Sequence, residues 1–363
     1  MPIKGEDTTR IGNENTSLGF LSLIDGEIRR VVEELEDTEL FRPRYVELTS
    51  FMPLNDEEVD KLEEWEMDET VTLEEREFQI KEFQEHSGES LPIVAVDVSS
   101  LRIGETERGV VAAYRAALVV CGEEFKVEKL GPYAIHLTEE NKLAIYNHFR
   151  KLLGLEKVNE DKVPRLSKLV DRIRNAIERM LQNAAAKTIR DGIVLWDGSL
   201  IGGTVDTPMK VVVENIAVAH SNGNSVVGVS KRSWLKTTSG KRLIDLLEGV
   251  YKPCYIDVHN TIATKQLSRY LGHVYVAKFS PHGFTFRVDV APKPGLTPVQ
   301  VLERLVSNCQ MYNGYPEPLR CAHIESYLTA NEILALQTYI AQKYNLTVLK
   351  PFDVRKHILS PFG

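Results

Sequence analysis

Two aspartates carry the first chemical signal in the chain. Asp97 ends the apolar run LPIVAV, and Asp197 ends the apolar run GIVLW far downstream. Both runs have the length and composition of buried strands. In an α/β sheet, ligands gather at the carboxyl ends of parallel strands. If the two strands are neighbours, both carboxylates enter one crevice, where they repel unless a divalent cation lies between them. Mn²⁺ and Mg²⁺ prefer such hard oxygen ligands, and no His/Cys spacing suggests zinc instead. Either aspartate alone reads as a turn cap. The matched pair shifts the balance toward a metal-assisted reaction.

A third carboxylate would complete such a site. The helical stretch 164–189 precedes the Asp197 strand and carries Asp171 and Glu178. Glu178 is the preferred candidate, although helical period does not separate it from Asp171 and most helix glutamates are only solvated. Lys231 follows the apolar run VVGVS. A lysine there can neutralise a phosphate or a developing oxyanion, with its neighbour Arg232 as the alternative; a lysine taken singly is more commonly a surface residue. His323 lies at the start of the last helical stretch and could ligate a metal or shuttle a proton, though a lone helix histidine is more often structural. Tyr275, Phe279, Phe284 and Phe286 alternate along two strand-like runs that also carry Lys278 and Arg287. Such aromatics can stack on unpaired bases and such cations can meet phosphates. Aromatics alternating in strands are more commonly core or dimer contacts.

The elements that would position these groups are legible as an alternation of periods. Residues 18–39 carry apolar side chains at helical spacing, and a second acidic helical stretch is expected over 56–84. The polar stretch 86–90 marks a boundary. Strands are expected at 91–100, 109–121 and 125–130, joined by short links as an antiparallel meander. Helices follow at 139–153 and 164–189, a strand at 192–197, a helix at 209–219 and a strand at 225–229. Strands near 273–279 and 284–290 and helices over 298–312 and 319–344 close the chain. Strands covered by helices on both faces define an α/β sheet. The expected organisation is an acidic helical N-terminal region, 1–90, followed by an α/β domain, 91–363.

Charge supports that division. Residues 1–90 hold 26 Asp+Glu and 9 Lys+Arg, and the remainder holds 26 and 35, so the net charge of −8 conceals an acidic segment and a mildly basic body. A basic body can contact phosphates. No apolar run is long enough to span a membrane, and the first residues lack the apolar core of a secretory signal. The four cysteines are scattered without CxxC spacing. A cytoplasmic protein with reduced thiols is therefore expected.

Taken in order and spacing, AVDVSS (95–100), LWDGSL (195–200), GVSK (228–231), VYVAKFSPHGFTFRVDV (274–290) and GYPEPLRCAHI (314–324) resemble the NurA nuclease family. The resemblance covers roughly residues 91–345. It implies an RNase H-like mixed sheet, an antiparallel meander joined to parallel strands and flanked by helices. It also implies Asp97, Glu178, Asp197 and His323 as ligands of one or two Mn²⁺ or Mg²⁺ ions, with Lys231 beside them. The activity implied is 5′-to-3′ exonuclease and single-strand endonuclease cleavage of DNA in end resection and repair. The partners implied are a HerA-type hexameric helicase and a second copy of the chain. One position departs from the family pattern: Val98 stands where relatives commonly carry glycine, so the segment after Asp97 is expected to differ. Two competitors remain. An actin-like or sugar-kinase-like ATPase is faintly suggested by DGSLIGGT (197–204), but AVDVSS lacks a phosphate-approaching glycine and no Walker A motif exists. A non-catalytic partner of a DNA translocase would keep the fold without the chemistry, although clustered carboxylates are costly to retain without a function.

Overall fold

A computed structural model describes residues 14–36, 45–48, 72–73, 78–84, 90–231, 233, 235–262 and 268–349. In chain order the strands are β1 (Tyr45–Leu48), β2 (Thr72–Leu73), β3 (Lys81–Glu82), β4 (Ile93–Thr106), β5 (Gly109–Cys121), β6 (Phe125–Thr138), β7 (Ile193–Asp197), β8 (Ser225–Ser230), β9 (Lys236–Thr237), β10 (Cys254–Asp257), β11 (His273–Lys278), β12 (Thr285–Ala291), β13 (Met311–Tyr312), β14 (Tyr315–Pro316) and β15 (Thr347–Leu349). The helices are α1 (Glu14–Glu36), α2 (Lys142–Leu152), α3 (Leu166–Thr188), α4 (Met209–Ser221), α5 (Pro298–Asn308), α6 (Glu317–Ser326) and α7 (Ala330–Lys343).

One mixed sheet organises the described residues. β4, β5 and β6 form an antiparallel meander, and β4, β7 and β8 run parallel. Antiparallel pairing then continues from β8 through β12, β11 and β10 to β3. At the far half of β4, β1 pairs antiparallel and joins β15 in parallel. This is the expected RNase H-like arrangement of meander plus parallel strands.

Alternation along the central strands sorts side chains between two apolar layers. Val94, Val96, Val98, Val194 and Trp196 face the layer made with α1, α2, α3 and α4, where Leu169, Ile173, Ile177, Leu181 and Ala184 of α3 are buried. Ile93, Ala95, Ile193, Leu195, Val227 and Val229 face the other layer, filled by Val301, Leu302 and Leu305 of α5 and Leu319 and Ala322 of α6. Because both faces are covered there, residues 93–96 of β4, 193–196 of β7 and 226–229 of β8 are continuous buried runs without a charged or hydroxyl side chain.

The register of the parallel strands is fixed at their amino ends. Gly192 lies so close to Pro92 that an added Cβ would meet its carbonyl oxygen at 2.2 Å, and Ile193 N donates to that same oxygen at 3.0 Å. The buried Asn224 side chain accepts from Gly192 N and donates to the carbonyls of Ala186 and Ile189, each at 2.9 Å. These bonds tie the end of α3, the start of β7 and the start of β8 together.

Several sequence-based boundaries move. β4 runs through Asp97 to Thr106, so Asp97 is not at a strand end. β6 extends to Thr138. The expected last helix is two, because Thr329 caps α7 in a reciprocal Thr329–Glu332 box and restarts the helix. Of the acidic stretch 56–84, the described parts are β2, β3 and segments without regular structure, not helix, and the rest lies outside the described residues. α1 matches its expectation and buries Leu21, Ile28 and Val31 in the first layer.

Candidate active site

The paired register of β4 and β7 runs Ile93–Ile193, Val94–Val194 and Ala95–Leu195. Continued by two positions, it sets Asp97 beside Asp197. Paired residues of parallel strands share a sheet face, so both carboxylates point to the α6 side. In β8, Val229 pairs with Asp197, and Lys231, two residues on, has the same parity. Three neighbouring strands thus deliver an acid, an acid and a cation to one place.

α6 closes over them. Its His323 Nδ1 lies 3.1 Å from Asp97 Oδ2, and its Ser326 Oγ donates to the same oxygen at 2.7 Å. The spacing of three residues puts both groups on one side of the helix. Ser99 Oγ, two positions along β4, meets Ser326 Oγ at 3.0 Å. Lys231 Nζ pairs with Asp197 Oδ2 at 2.8 Å.

The two acids occupy opposed electrostatic settings. Burial works against ionisation of Asp97, which is only 8% exposed. The His323 and Ser326 hydrogen bonds and the nearby Arg174 guanidinium outweigh it and hold the carboxyl below its usual range. Asp197 is pushed above its usual range, first by burial, which Lys231 opposes, and then by the adjacent Asp97 charge. His323 is raised by its bond to Asp97, against the effect of burial. Carboxyls whose affinities for a proton are driven apart are suited to different tasks.

Glu178 lies on α3, the helix covering the other face of the sheet, buried with Oε1 accepting from Gln182 Nε2 at 3.1 Å. Arg174, one turn earlier on α3, is close enough to act on Asp97. Asp171, the alternative, acts on the buried phenol of Tyr114 instead. Among the described residues, no group of three or more His, Cys, Asp or Glu side chains is gathered closely enough to hold a metal. The expected set of Asp97, Glu178, Asp197 and His323 is therefore not preassembled. The donor chemistry still suits a hard cation. Mg²⁺-type ions are commonly held by one or two carboxylates, with water and phosphate oxygens completing the shell, and a cation would offset the burial and the Asp97 repulsion that together raise Asp197.

The expected DNA contacts divide sharply. Arg232 lies outside the described residues. Tyr275, Phe279 and Phe286 are core side chains. Arg287 is buried, with its guanidinium in a two-pronged pair to Asp289 at 2.8 and 2.7 Å, so it does not face DNA. Asp289 Oδ2 in turn accepts from Leu200 N. Lys278 is mostly buried and donates to the Val250 carbonyl at 2.6 Å, while also lining a cavity beside Lys231 and His323. Only Phe284 is exposed among the four aromatics, at 68%. Sequence reasoning missed Ser326 and Arg174. Their signal was available as helical spacing from His323 and Glu178, but it needed the helices' facing to be known.

Residues 91–326 match the sequence model of the NurA domain. No curated protein matches. Among solved structures, the NurA nuclease from Sulfolobus solfataricus is similar, with 14% identity, a TM-score of 0.47, and coverage of 80% of this chain and 95% of that one. The catalytic domain of human Endonuclease V is similar at 13% identity and a TM-score of 0.31, covering 82% of this chain and 100% of that one. With the family match spanning well over half of its length, this chain belongs to the NurA nuclease family.

Proposed function

We propose that this chain is a divalent-metal-dependent deoxyribonuclease that hydrolyses phosphodiesters in the crevice bounded by Asp97, Asp197, Lys231 and His323. The observation carrying this reading is the shared register that sets the two acids side by side, with a lysine and a histidine closing over them. Asp97 and Asp197 would hold Mn²⁺, or Mg²⁺, as one or two ions, with Glu178 and His323 as further candidate ligands. Such an ion supplies Lewis acidity and a water acidic enough to act as nucleophile near neutral pH.

The chain's own groups supply the rest. Lys231 leaves Asp197 for the incoming phosphate and offsets charge on its non-bridging oxygens. Ser326 and His323 keep the Asp97 carboxylate ionised and oriented. Where it is not a metal ligand, His323, made more basic by Asp97, holds a proton and gives it to the leaving oxygen as the phosphorus–oxygen bond breaks; the water oxygen takes that oxygen's place and the water's proton passes to solvent. Family resemblance extends the reading to 5′-to-3′ exonuclease and single-strand endonuclease cleavage in DNA end resection, in the cytoplasm, as a homodimer working with a HerA-type helicase.

The test is cleavage of 5′- and 3′-labelled DNA by wild type, Asp97→Asn and Asp197→Asn, with and without Mn²⁺. Metal-dependent cleavage lost in both folded variants is expected. ATP binding without cleavage would instead favour the kinase-like reading, and a folded, metal-insensitive, inactive wild type would favour a non-catalytic partner.

A further inference from the structure

A cavity of about 650 Å³ opens beside the acidic crevice and shares Lys231 and His323 with it. That volume lies within the ~300–1,000 Å³ typical of ligand pockets. Its lining includes Phe284, Phe286, Tyr312 and Tyr315 together with Asp245 and Glu248. Two of the aromatics are turned outward: Phe284 is 68% and Tyr312 56% exposed. Exposed aromatic rings beside a phosphate-binding crevice are faces on which an unpaired base can stack.

Local structure holds these rings in place. β13 and β14 are joined by Asn313-Gly314, both with positive φ, at +50° and +83°. This is the sequence and conformation of a tight two-residue hairpin turn. The tip of that hairpin packs against the loop between β11 and β12. Phe284 N donates to Asn313 O at 2.9 Å, and a Cβ on Gly283 would meet Gly314 Cα at 2.7 Å. Two glycines therefore allow two hairpin tips to touch, which sets Phe284 and Tyr312 on one cavity rim. Cations back the rings: the Arg320 guanidinium lies 4.7 Å from the Tyr312 centroid, and Lys231 Nζ lies 5.5 Å from that of Tyr315.

We propose that this cavity is a subsite for an unpaired DNA base next to the scissile phosphate, with Phe284 and Tyr312 as its stacking platforms. The inference rests on the nuclease reading and names the residues that would hold the base of an unpaired strand beside the reaction centre. Lys231 belongs to both spaces, so a phosphate held there brings its adjoining nucleotide to the cavity mouth. Every base offers a π-face, so the subsite selects unpaired strand and not sequence.

The test measures binding of short single-stranded oligothymidylates, each carrying one abasic position, to the full chain with Ca²⁺ in place of the catalytic metal. One abasic position is expected to weaken binding by roughly 5- to 100-fold, the range of base–aromatic stacking. Phe284→Ala and Tyr312→Ala are expected to erase that difference, and Phe284→Tyr to keep it, with melting temperatures unchanged. Binding without sensitivity to any abasic position overturns the subsite and leaves the nuclease reading standing, as does sensitivity that survives both alanine variants. Failure of the wild type to bind DNA at all overturns both. Loss of a dimer in sedimentation by Phe284→Ala would assign this face to a second copy of the chain and overturn the base subsite.

Discussion

At the scale of single residues, the unusual feature is an aspartate that the fold makes uncomfortable. Asp197 is raised by burial and by Asp97, and only Lys231 and His323 oppose this. A carboxyl whose folded affinity for a proton exceeds its unfolded value costs stability wherever it is ionised. Asp197→Asn therefore removes a repulsion, and Lys231, 45% exposed, exchanges its Asp197 contact for water. The expected outcome is a melting temperature in chelator equal to or above that of wild type, with cleavage reduced by about 100-fold or more. Thermal melts and labelled-DNA assays on one preparation check both. A variant that melted far below wild type would mark Asp197 as structural. The acids were legible because apolar runs ending in Asp are conspicuous. Their true setting was not. β4 continues through Val98, whose side chain is only 2% exposed in the core. No turn follows Asp97, and no glycine is needed.

At the scale of elements, the site depends on registers and junctions that local sequence encodes only weakly. Strand and helix periods located most of the central elements, since buried strands and amphipathic helices repeat with different spacing. They could not show that β4 and β7 pair with one offset, which is a long-range property. Gly192 is the residue through which that offset is enforced. Gly192→Ala places a Cβ against the Pro92 carbonyl and must move one strand against the other. Loss of stability of about 1–3 kcal/mol together with a large fall in cleavage is expected in urea titrations and assays. Unchanged activity would show that the acids do not depend on this junction.

The junction after α6 makes a second demand of the same kind. Buried Arg115 of β5 donates to the Tyr327 carbonyl at 3.3 Å and pairs with Glu332 at 2.8 Å. This clamps the turn that follows His323 and Ser326. Bonding to Arg115 lowers Glu332 from 4.5 to about 2, against burial. A depressed acid contributes stability that is complete above its unfolded value and is lost as pH falls through the folded one. The window is therefore about 4.5 down to 2. Because Glu332 is 39% exposed, solvent screening reduces the contribution to roughly 1 kcal/mol or less. Glu332→Gln should lower stability at neutral pH by that amount and flatten the acid limb of a pH-dependent unfolding series. An identical acid limb would exclude the clamp.

At the scale of the whole molecule, charge and packing give different answers about residues 1–90. Composition separates them cleanly, with 26 acidic against 9 basic residues, and the family match begins only at residue 91. Packing joins them to the body: β1 extends the sheet beside β4, and α1 lies on α3 with Leu21, Ile28 and Val31 buried in the same layer as Val96 and Ile177. Tyr133 of β6 also donates to Asp25 of α1 at 2.5 Å. Each buried aliphatic side chain contributes about 1.5–3 kcal/mol, so α1 alone supplies an amount comparable with the roughly 5–15 kcal/mol net stability of a typical domain. Removing residues 1–90 should therefore yield insoluble or unfolded protein, not a liberated nuclease. Proteolytic nicking between residues 85 and 89 should instead leave both fragments associated and cooperatively melting, because the α1 contacts remain. Size-exclusion chromatography of nicked protein, set beside the solubility of the truncated chain, decides the matter. A soluble, cooperatively folded, active fragment 91–363 would show that α1 only decorates a domain complete without it.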